Sequence, residues 1–393
     1  MNLGILSLVL AYVLSQFYRA FLAVLTPELE GSIGASPVDL AAASGIWFLV
    51  FALMQVPVGE LLDRVGPRLT SSVLFVLGGA GGAAVFAMAT MPWHVSLAMG
   101  LIGFGCSPIL MASYFIFARS YAPALFATLA GVTLGIGNLG NIVSSLPMTI
   151  AIETFGWRGT MWTLALASLI ISIFLFIFVR DPEKLNGALT GSVLELLKMP
   201  VIWPILILMM VNYVPAAGIR GLWAGPYLQE VFGVTGPSVG LVTLVMGVAM
   251  AFGNFIFGPL DRLFPSRKAI VLIGNMAVVL NVTLLVLFVD HSIFLSTVLL
   301  AMVGFCGATY VVIIAHAKNF FPERLMGRGV TLLNLFGIGG VGVFQSLSGQ
   351  VYDSVSNGLG PVEKYQVLFS FFGLALILGC LVYALSRDGP NHI

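Results

Sequence analysis

The sequence predicts an all-α membrane protein in which twelve transmembrane helices form two pseudo-symmetric six-helix bundles. Three observations carry that prediction. The 393-residue chain is 59% hydrophobic and 8% charged, whereas a soluble globular protein is about 25% charged. Apolar runs of about 20 residues recur along its whole length, each long enough to cross the hydrocarbon core as a helix. The second half then repeats the first at an offset close to 200 residues.

The spans fall in order at about 3–28, 39–61, 69–91, 94–118, 124–152 and 158–179, then 200–227, 238–260, 268–289, 292–317, 325–351 and 364–386. The first is too long and uninterrupted for a cleaved signal peptide and lacks a positive leader. All sixteen acids sit at span ends or in loops, from Glu28 and Glu30 through Glu230 to Asp388. The polar segment holding Asp181, Pro182, Glu183 and Lys184 separates an N-terminal bundle, 1–180, from a C-terminal bundle, 200–393, with a cytoplasmic linker at 181–199. With both termini inside, thirteen lysines and arginines lie in cytoplasmic segments and two, Arg158 and Lys364, in outer loops. That is the bias expected of a multi-pass protein of a cell inner membrane with cytoplasmic termini. Cys106, Cys306 and Cys380 lie within spans and read as small core residues, not as disulfides or a metal site. The net charge of +1 singles out no partner, and no cofactor, metal or nucleic acid is expected.

The duplication is read from matches in register. Gly59-Glu-Leu-Leu-Asp63-Arg64-Val-Gly66-Pro67-Arg68 corresponds to Gly258-Pro-Leu-Asp261-Arg262-Leu-Phe-Pro265-Ser-Arg267. Gly103-Phe104 corresponds to Gly304-Phe305, Ala118-Arg119 to Ala317-Lys318, and Gly131-Val-Thr-Leu134 to Gly329-Val-Thr-Leu332. Tyr12 and Arg19 correspond to Tyr213 and Arg220.

The loop Gly59-x-x-x-Asp63-Arg64-x-Gly66-Pro67-Arg68 resembles the signature loop of the major facilitator superfamily. Gly156-Trp157-Arg158 before span 6 and the glycine spacing of span 5 (Gly131, Gly135, Gly137, Gly140) are similar to that family as well. The resemblance covers essentially the whole chain. It implies a transporter whose halves rock about a site near the midplane. It also implies that Gly59, Asp63, Arg64, Gly66 and Arg68, with Asp261 and Arg262 in the degenerate second copy, help latch one end of the cavity. Asp63 suits the positive end of a neighbouring helix, and the arginines suit lipid phosphate.

Two cations remain inside spans, Arg19 and Arg220. A guanidinium keeps its proton, and burying it near the bilayer centre costs roughly 2.5–3.5 kcal/mol on insertion scales. At helical spacing Arg19 shares a face with Tyr12, Ser15 and Gln16, and Arg220 with Tyr213, Ala216, Ala217, Trp223, Ala224 and Tyr227. No acid lies at the depth of either arginine. The remaining counter-ions are water, carbonyls, aromatic faces or a bound anion, and a planar fork suits carboxylate or phosphate. The expected site therefore binds a small anion between Arg19 and Arg220, lined by Tyr12, Gln16, Tyr213, Trp223, Tyr227, Tyr310 and Asn334. Tyr114, Asn138, Asn141 and Gln345 are weaker candidates, since such amides often bridge helices. The competing reading makes each arginine a scaffold group bonded to carbonyls of a broken helix.

One arginine on span 1 and one on span 7 resembles the organophosphate:phosphate antiporters and related organic-anion carriers, as does the stretch Tyr18-Arg19 to Pro27-Glu28-Leu29. Those carriers often place a histidine in the cavity; here His94, His291, His316 and His392 lie near span ends or in loops. The expected function is secondary transport by a single chain through exchange or uniport, or through symport in which the substrate's own charge is involved. A ligand sensor without flux, or a carrier of zwitterionic amino acids or peptides, is the alternative. No zinc-protease or phosphate-loop motif is present, so an enzyme is not expected.

Overall fold

A computed structural model describes residues 3–121, 123–183, 193–264, 266–322, 325–356 and 358–388. These are helical throughout, apart from short turns and the polar connection. Ten helices are long and apolar enough to cross a membrane. The bent pair Leu3–Phe17 and Leu22–Ile33, at 55°, makes an eleventh when taken as one span, and Leu129–Val143, where the sequence places span 5, is a shorter apolar helix. Of the predicted linker, residues 184–192 lie outside the described ones, as do Pro265 and Arg324.

Span boundaries follow local chemistry. Span 2 opens on a reciprocal cap: Ser36 Oγ accepts from the Asp39 N–H, and the Asp39 carboxylate accepts from the Ser36 N–H. Span 4 changes helix after Cys106, where Pro108 has no N–H to give and its ring crowds the carbonyl four residues back. That carbonyl, of Phe104, is taken by the Ser107 hydroxyl at 2.7 Å. Span 5, expected as one helix over 124–152, ends instead at Val143 and resumes at Leu146. Pro147 is the physical reason, because its ring cannot follow a helical Val143 carbonyl. The next helix, Leu146–Phe178, is divided at Gly156, whose φ of 69° and ψ of 160° close span 5 and open span 6. A left-handed φ of this kind favours glycine.

The chain divides into two compact units, Met1–Asn186 with Gly236–Leu241, and Gly187–Thr235 with Val242–Ile393. In the first, span 1 packs on spans 5 and 6, span 2 on span 4, and span 3 on spans 4 and 6. In the second, span 7 packs on spans 11 and 12, and span 9 on spans 10 and 12. Close approach at glycine recurs at matched places. A Cβ on Gly140 would collide with the Val13 carbonyl, and one on Gly340 with the Met210 carbonyl. One on Gly137 would meet the Tyr12 ring, and one on Gly337 the Met209 side chain. Gly103 lies against the Trp47 carbonyl and Gly304 against the Met246 carbonyl. Small residues at these crossings let helix backbones touch. Gly131 and Gly135, singled out with Gly137 by their spacing, face open space.

The outside of each unit is apolar. Leu166, Ile173 and Ile177 on span 6 are exposed, as are Leu374, Leu378 and Leu381 on span 12. Stripes of this size fit lipid, where apolar exposure carries no penalty.

Candidate functional site

Arg19 does not continue a regular helix. It lies in the break between Leu3–Phe17 and Leu22–Ile33, where the hydrogen bonds tighten: Arg19 N–H reaches the Gln16 carbonyl at 3.4 Å and Ala20 N–H the Phe17 carbonyl at 3.1 Å. The break is held by its neighbours. Tyr18 is fully buried, its hydroxyl 3.1 Å from Ser168 Oγ on span 6, and its ring packs edge-on against Phe17 and Phe21. Arg19 itself is half-buried and seated on two aromatic faces of span 2, 4.9 Å from the Phe51 ring centre and 5.4 Å from that of Trp47. These faces offset part of the guanidinium charge, by about 0.5–2 kcal/mol each. Arg19 Nε is buried with no hydrogen-bond partner among the described residues. The same holds for Trp47 Nε1 on a fully buried indole. Tyr12 and Gln16 lie nearby on span 1, with Gln16 Nε2 donating to the Tyr12 hydroxyl at 2.6 Å.

Arg220 occupies an equivalent interruption. Span 7 widens into a π-helical turn over Ile219–Trp223, and Pro226 follows, whose ring would strike a regular helical carbonyl of Leu222. Arg220 is 2% exposed, and its Nε donates to the Thr243 carbonyl of span 8 at 3.2 Å. Gly247, one turn further along span 8, leaves room for the guanidinium, since a Cβ there would stand 2.9 Å from Nη2. The expected continuous faces therefore do not hold through either arginine: tight bonds re-register span 1 and wide bonds re-register span 7.

The other predicted residues divide in two. Tyr213 and Tyr310 are half-buried with their rings 5.9 Å apart, and Asn334 is half-buried on span 11. Trp223 and Tyr227 are fully buried within their own unit with their polar atoms occupied. Trp223 Nε1 donates to Ser348 Oγ at 2.8 Å, while the Tyr227 hydroxyl bonds the Val289 carbonyl and lies 2.8 Å from Ser296 Oγ. Glu230, read as an outer-end acid, accepts from the Tyr352 hydroxyl at 2.7 Å and from that of Tyr365 at 2.9 Å. A buried amide network escaped the sequence reading: Asn212 Nδ2 donates to Asn275 Oδ1 at 2.7 Å and to Thr309 Oγ1 at 2.8 Å, tying spans 7, 9 and 10.

The signature loop is built inside the first unit. Asp63 pairs with Arg119 of span 4 at 3.0 Å, and exposed Arg64 with Glu60 at 2.7 Å. Gly66 has φ 106°, and a Cβ there would stand 2.7 Å from the Asp181 carboxylate. That carboxylate accepts from the Arg68 N–H at 2.8 Å, at the start of the helix opening with Pro67. Asp181 thus supplies the anion at that positive helix end, and the sequence reading had left it in the linker. The Arg68 guanidinium lies 4.5 Å from the Phe176 ring centre. Gly59 meets only the end of Met111. The side chains of Asp261 and Arg262 are outside the described ones.

Among the described residues, no cluster of three or more histidines, cysteines or acids has the geometry to hold a metal.

Comparison with known proteins gives the frame. The sequence model of the Major Facilitator Superfamily matches residues 8–223 and again 206–392. A putative tartrate transporter of Agrobacterium vitis is 22% identical over 98% of this chain and 90% of its own length. A probable L-galactonate transporter of Escherichia coli (strain K12) is 23% identical over 47% of this chain, but the match spans only 40% of that relative. An uncharacterized transporter of Bacillus subtilis (strain 168) is 22% identical, with 39% of its length matched. Among solved structures, a bacterial homologue of the human lysosomal transporter Spinster, inward-facing and occupied, superposes with a TM-score of 0.78 at 17% identity, covering 97% of this chain and 96% of that one. A D-xylose–proton symporter superposes at 0.76 and 13% identity, over 98% and 97% of the two chains. Two family matches that together cover well over half of the chain show the family: the chain belongs to the Major Facilitator Superfamily, whose members are membrane transporters and not enzymes.

Proposed function

We propose that the chain moves a small organic anion, bearing a carboxylate or phosphate, by alternating access, with Arg19 and Arg220 as the cationic contacts. The observation that carries this reading is the set of groups around Arg19. Its guanidinium has aromatic faces in place of a carboxylate, while Arg19 Nε and Trp47 Nε1 are buried donors with no acceptor among the described residues. Donors cannot satisfy one another, so the group that completes this set is an acceptor, and beside a permanent cation a charged acceptor binds most strongly. The relatives named for tartrate and L-galactonate support hydroxylated carboxylates as the first compounds to try.

Around those arginines, Tyr12 and Gln16 of span 1 and Tyr213, Tyr310 and Asn334 of the second unit are the proposed lining. Trp223 and Tyr227 act there as supports, given their internal bonds. Bound anion would neutralise two like charges and favour closure, making loading a condition for the conformational change. The chain works as a monomer in a cell inner membrane, with both termini cytoplasmic, the cytoplasmic arginines against lipid phosphate, and the loop around Asp63 as one latch. Exchange or uniport is the mode that such a site supports best.

Reconstituted in liposomes, the wild-type chain should show saturable anion uptake with no partner protein. Arg19→Gln and Arg220→Gln should each lower it by at least about a hundredfold, as loss of a charge-assisted pair implies, while remaining folded. Lysine at either position should restore little, since a point charge does not reproduce a planar fork. Uptake that survives both glutamine variants sinks the reading, and binding without uptake makes the protein a sensor.

A further inference from the structure

We propose that the buried network of Asn212, Asn275 and Thr309 is a positioning device for the tyrosine pair Tyr213 and Tyr310, with the Thr309 hydroxyl as its hub, so that Thr309 sets anion affinity without touching the anion. This rests on the anion reading above, in which both tyrosines line the site.

Each tyrosine sits where its helix is interrupted. In span 7 the helix Trp203–Asn212 ends one residue before Tyr213, and a new helix starts at Val214. Pro215 is the reason, because it has no N–H and its ring crowds the carbonyl of Val211. In span 10 the helix Ile293–Cys306 gives way to a 3-10 turn over Gly307–Thr309, and Tyr310 starts the next helix. Regular backbone bonding therefore leaves both tyrosines less firmly placed than a continuous helix would. The residue just before each one supplies the missing constraint. Asn212 Nδ2 donates to Thr309 Oγ1 at 2.8 Å, and on the next residues the Tyr213 and Tyr310 rings lie 5.9 Å apart. The first contact is fully buried and the second half-buried. Tyr213 is also near enough to Arg220 to interact with its charge, which puts the pair beside a cation proposed to bind substrate.

Span 9 is the fixed frame, since Arg267–Leu287 runs as one unbroken helix. Its Asn275 accepts from Asn212 Nδ2 at 2.7 Å, and its own Nδ2 donates to Thr309 Oγ1 at 3.3 Å and to the Val271 carbonyl, one turn back, at 2.8 Å. Beside it Gly274 presents bare backbone: a Cβ there would stand 2.2 Å from Thr309 Cγ2. Thr309 is thus held by its hydroxyl and by its methyl. An amide bridge between membrane helices adds little to stability, whereas a bonded buried network fixes one arrangement of the elements it joins. Here the elements it joins are the two breaks that carry the tyrosines.

Thr309→Val is the clean probe. It keeps the shape and the methyl on Gly274, and each amide keeps a partner: Asn275 Oδ1 for Asn212, and the Val271 carbonyl for Asn275. Tartrate binding to the purified full-length chain is measured by calorimetric titration, at equal folded fraction, for wild type, Thr309→Val, Thr309→Ser, Tyr213→Leu, Thr309→Val combined with Tyr213→Leu, and Arg19→Gln. Thr309→Val should weaken binding by about fivefold or more, and Thr309→Ser, which keeps the hub hydroxyl, should restore it to within about twofold. With Tyr213→Leu no ring is left on span 7 to position, so adding Thr309→Val should change affinity by less than about twofold. Unweakened binding in Thr309→Val overturns the assignment. So does an equal loss from Thr309→Val with and without Tyr213, or serine as weak as valine, since either marks a merely structural role. Wild type that binds no tartrate, or Arg19→Gln that binds it as well as wild type, overturns the anion reading and the assignment with it.

Discussion

At the scale of single residues, the two intramembrane arginines are stabilised by different means. Arg19 rests on the rings of Trp47 and Phe51 and keeps an open Nε. Arg220 is almost fully buried and gives its Nε to a backbone carbonyl. The scaffold reading of such arginines therefore describes one bond of Arg220, whereas Arg19 has no protein acceptor at Nε among the described residues. Trp47→Phe separates the two contributions of that indole. The ring face stays and the N–H goes, so anion affinity should fall about 5- to 100-fold, the equivalent of about 1–3 kcal/mol, with an unchanged melting temperature. Unchanged affinity would remove Trp47 from the site. Both arginines were legible in the sequence because a charge inside an apolar run is conspicuous. Trp47 and Phe51 were not, since aromatic residues are ordinary in a membrane helix and only folding brings them from span 2 to Arg19.

At the scale of helices, the arginines mark interruptions: a tightened break in span 1 and a widened turn in span 7. Each precedes a proline, Pro27 or Pro226. The prolines explain other boundaries that periodicity alone misplaced. Pro147 ends the helix that was expected to run to residue 152, and Pro108 divides span 4. Hydropathy registers how long a greasy stretch is, not whether its carbonyls all find donors, so spans were legible and breaks were not. Helix contacts make a paired prediction. Gly340→Val drives a side chain into the Met210 carbonyl and should destabilise the chain by about 1–3 kcal/mol or more, read as a lowered melting temperature in detergent. Gly131→Ala meets nothing within 4 Å and should be neutral or stabilising by up to about 1 kcal/mol. The converse order would mean that the glycine spacing of span 5 has another purpose. Gly66→Ala combines a left-handed φ of 106° with contact on the Asp181 carboxylate; it should impair the loop between spans 2 and 3, seen as slowed transport with anion affinity retained.

At the scale of the whole molecule, the internal repeat was the most informative signal. The structure extends it to Gly137 and Gly140 with Gly337 and Gly340, an offset of 200 residues, and each pair mediates the same crossing within its own unit: span 5 on span 1, and span 11 on span 7. The family was legible from one loop and its degenerate copy. The substrate was not, because specificity depends on a few polar groups whose partners are set by folding, as the open indole of Trp47 and the closed indole of Trp223 illustrate. Negative charge is the property of the substrate on which the proposed function rests most directly. The most direct measurement is therefore saturable binding of a hydroxylated carboxylate such as tartrate to the purified wild-type chain, set beside Arg19→Gln at equal folded fraction. Binding that is present in wild type and at least about a hundredfold weaker in Arg19→Gln is the predicted result; equal affinity in the two proteins would contradict it.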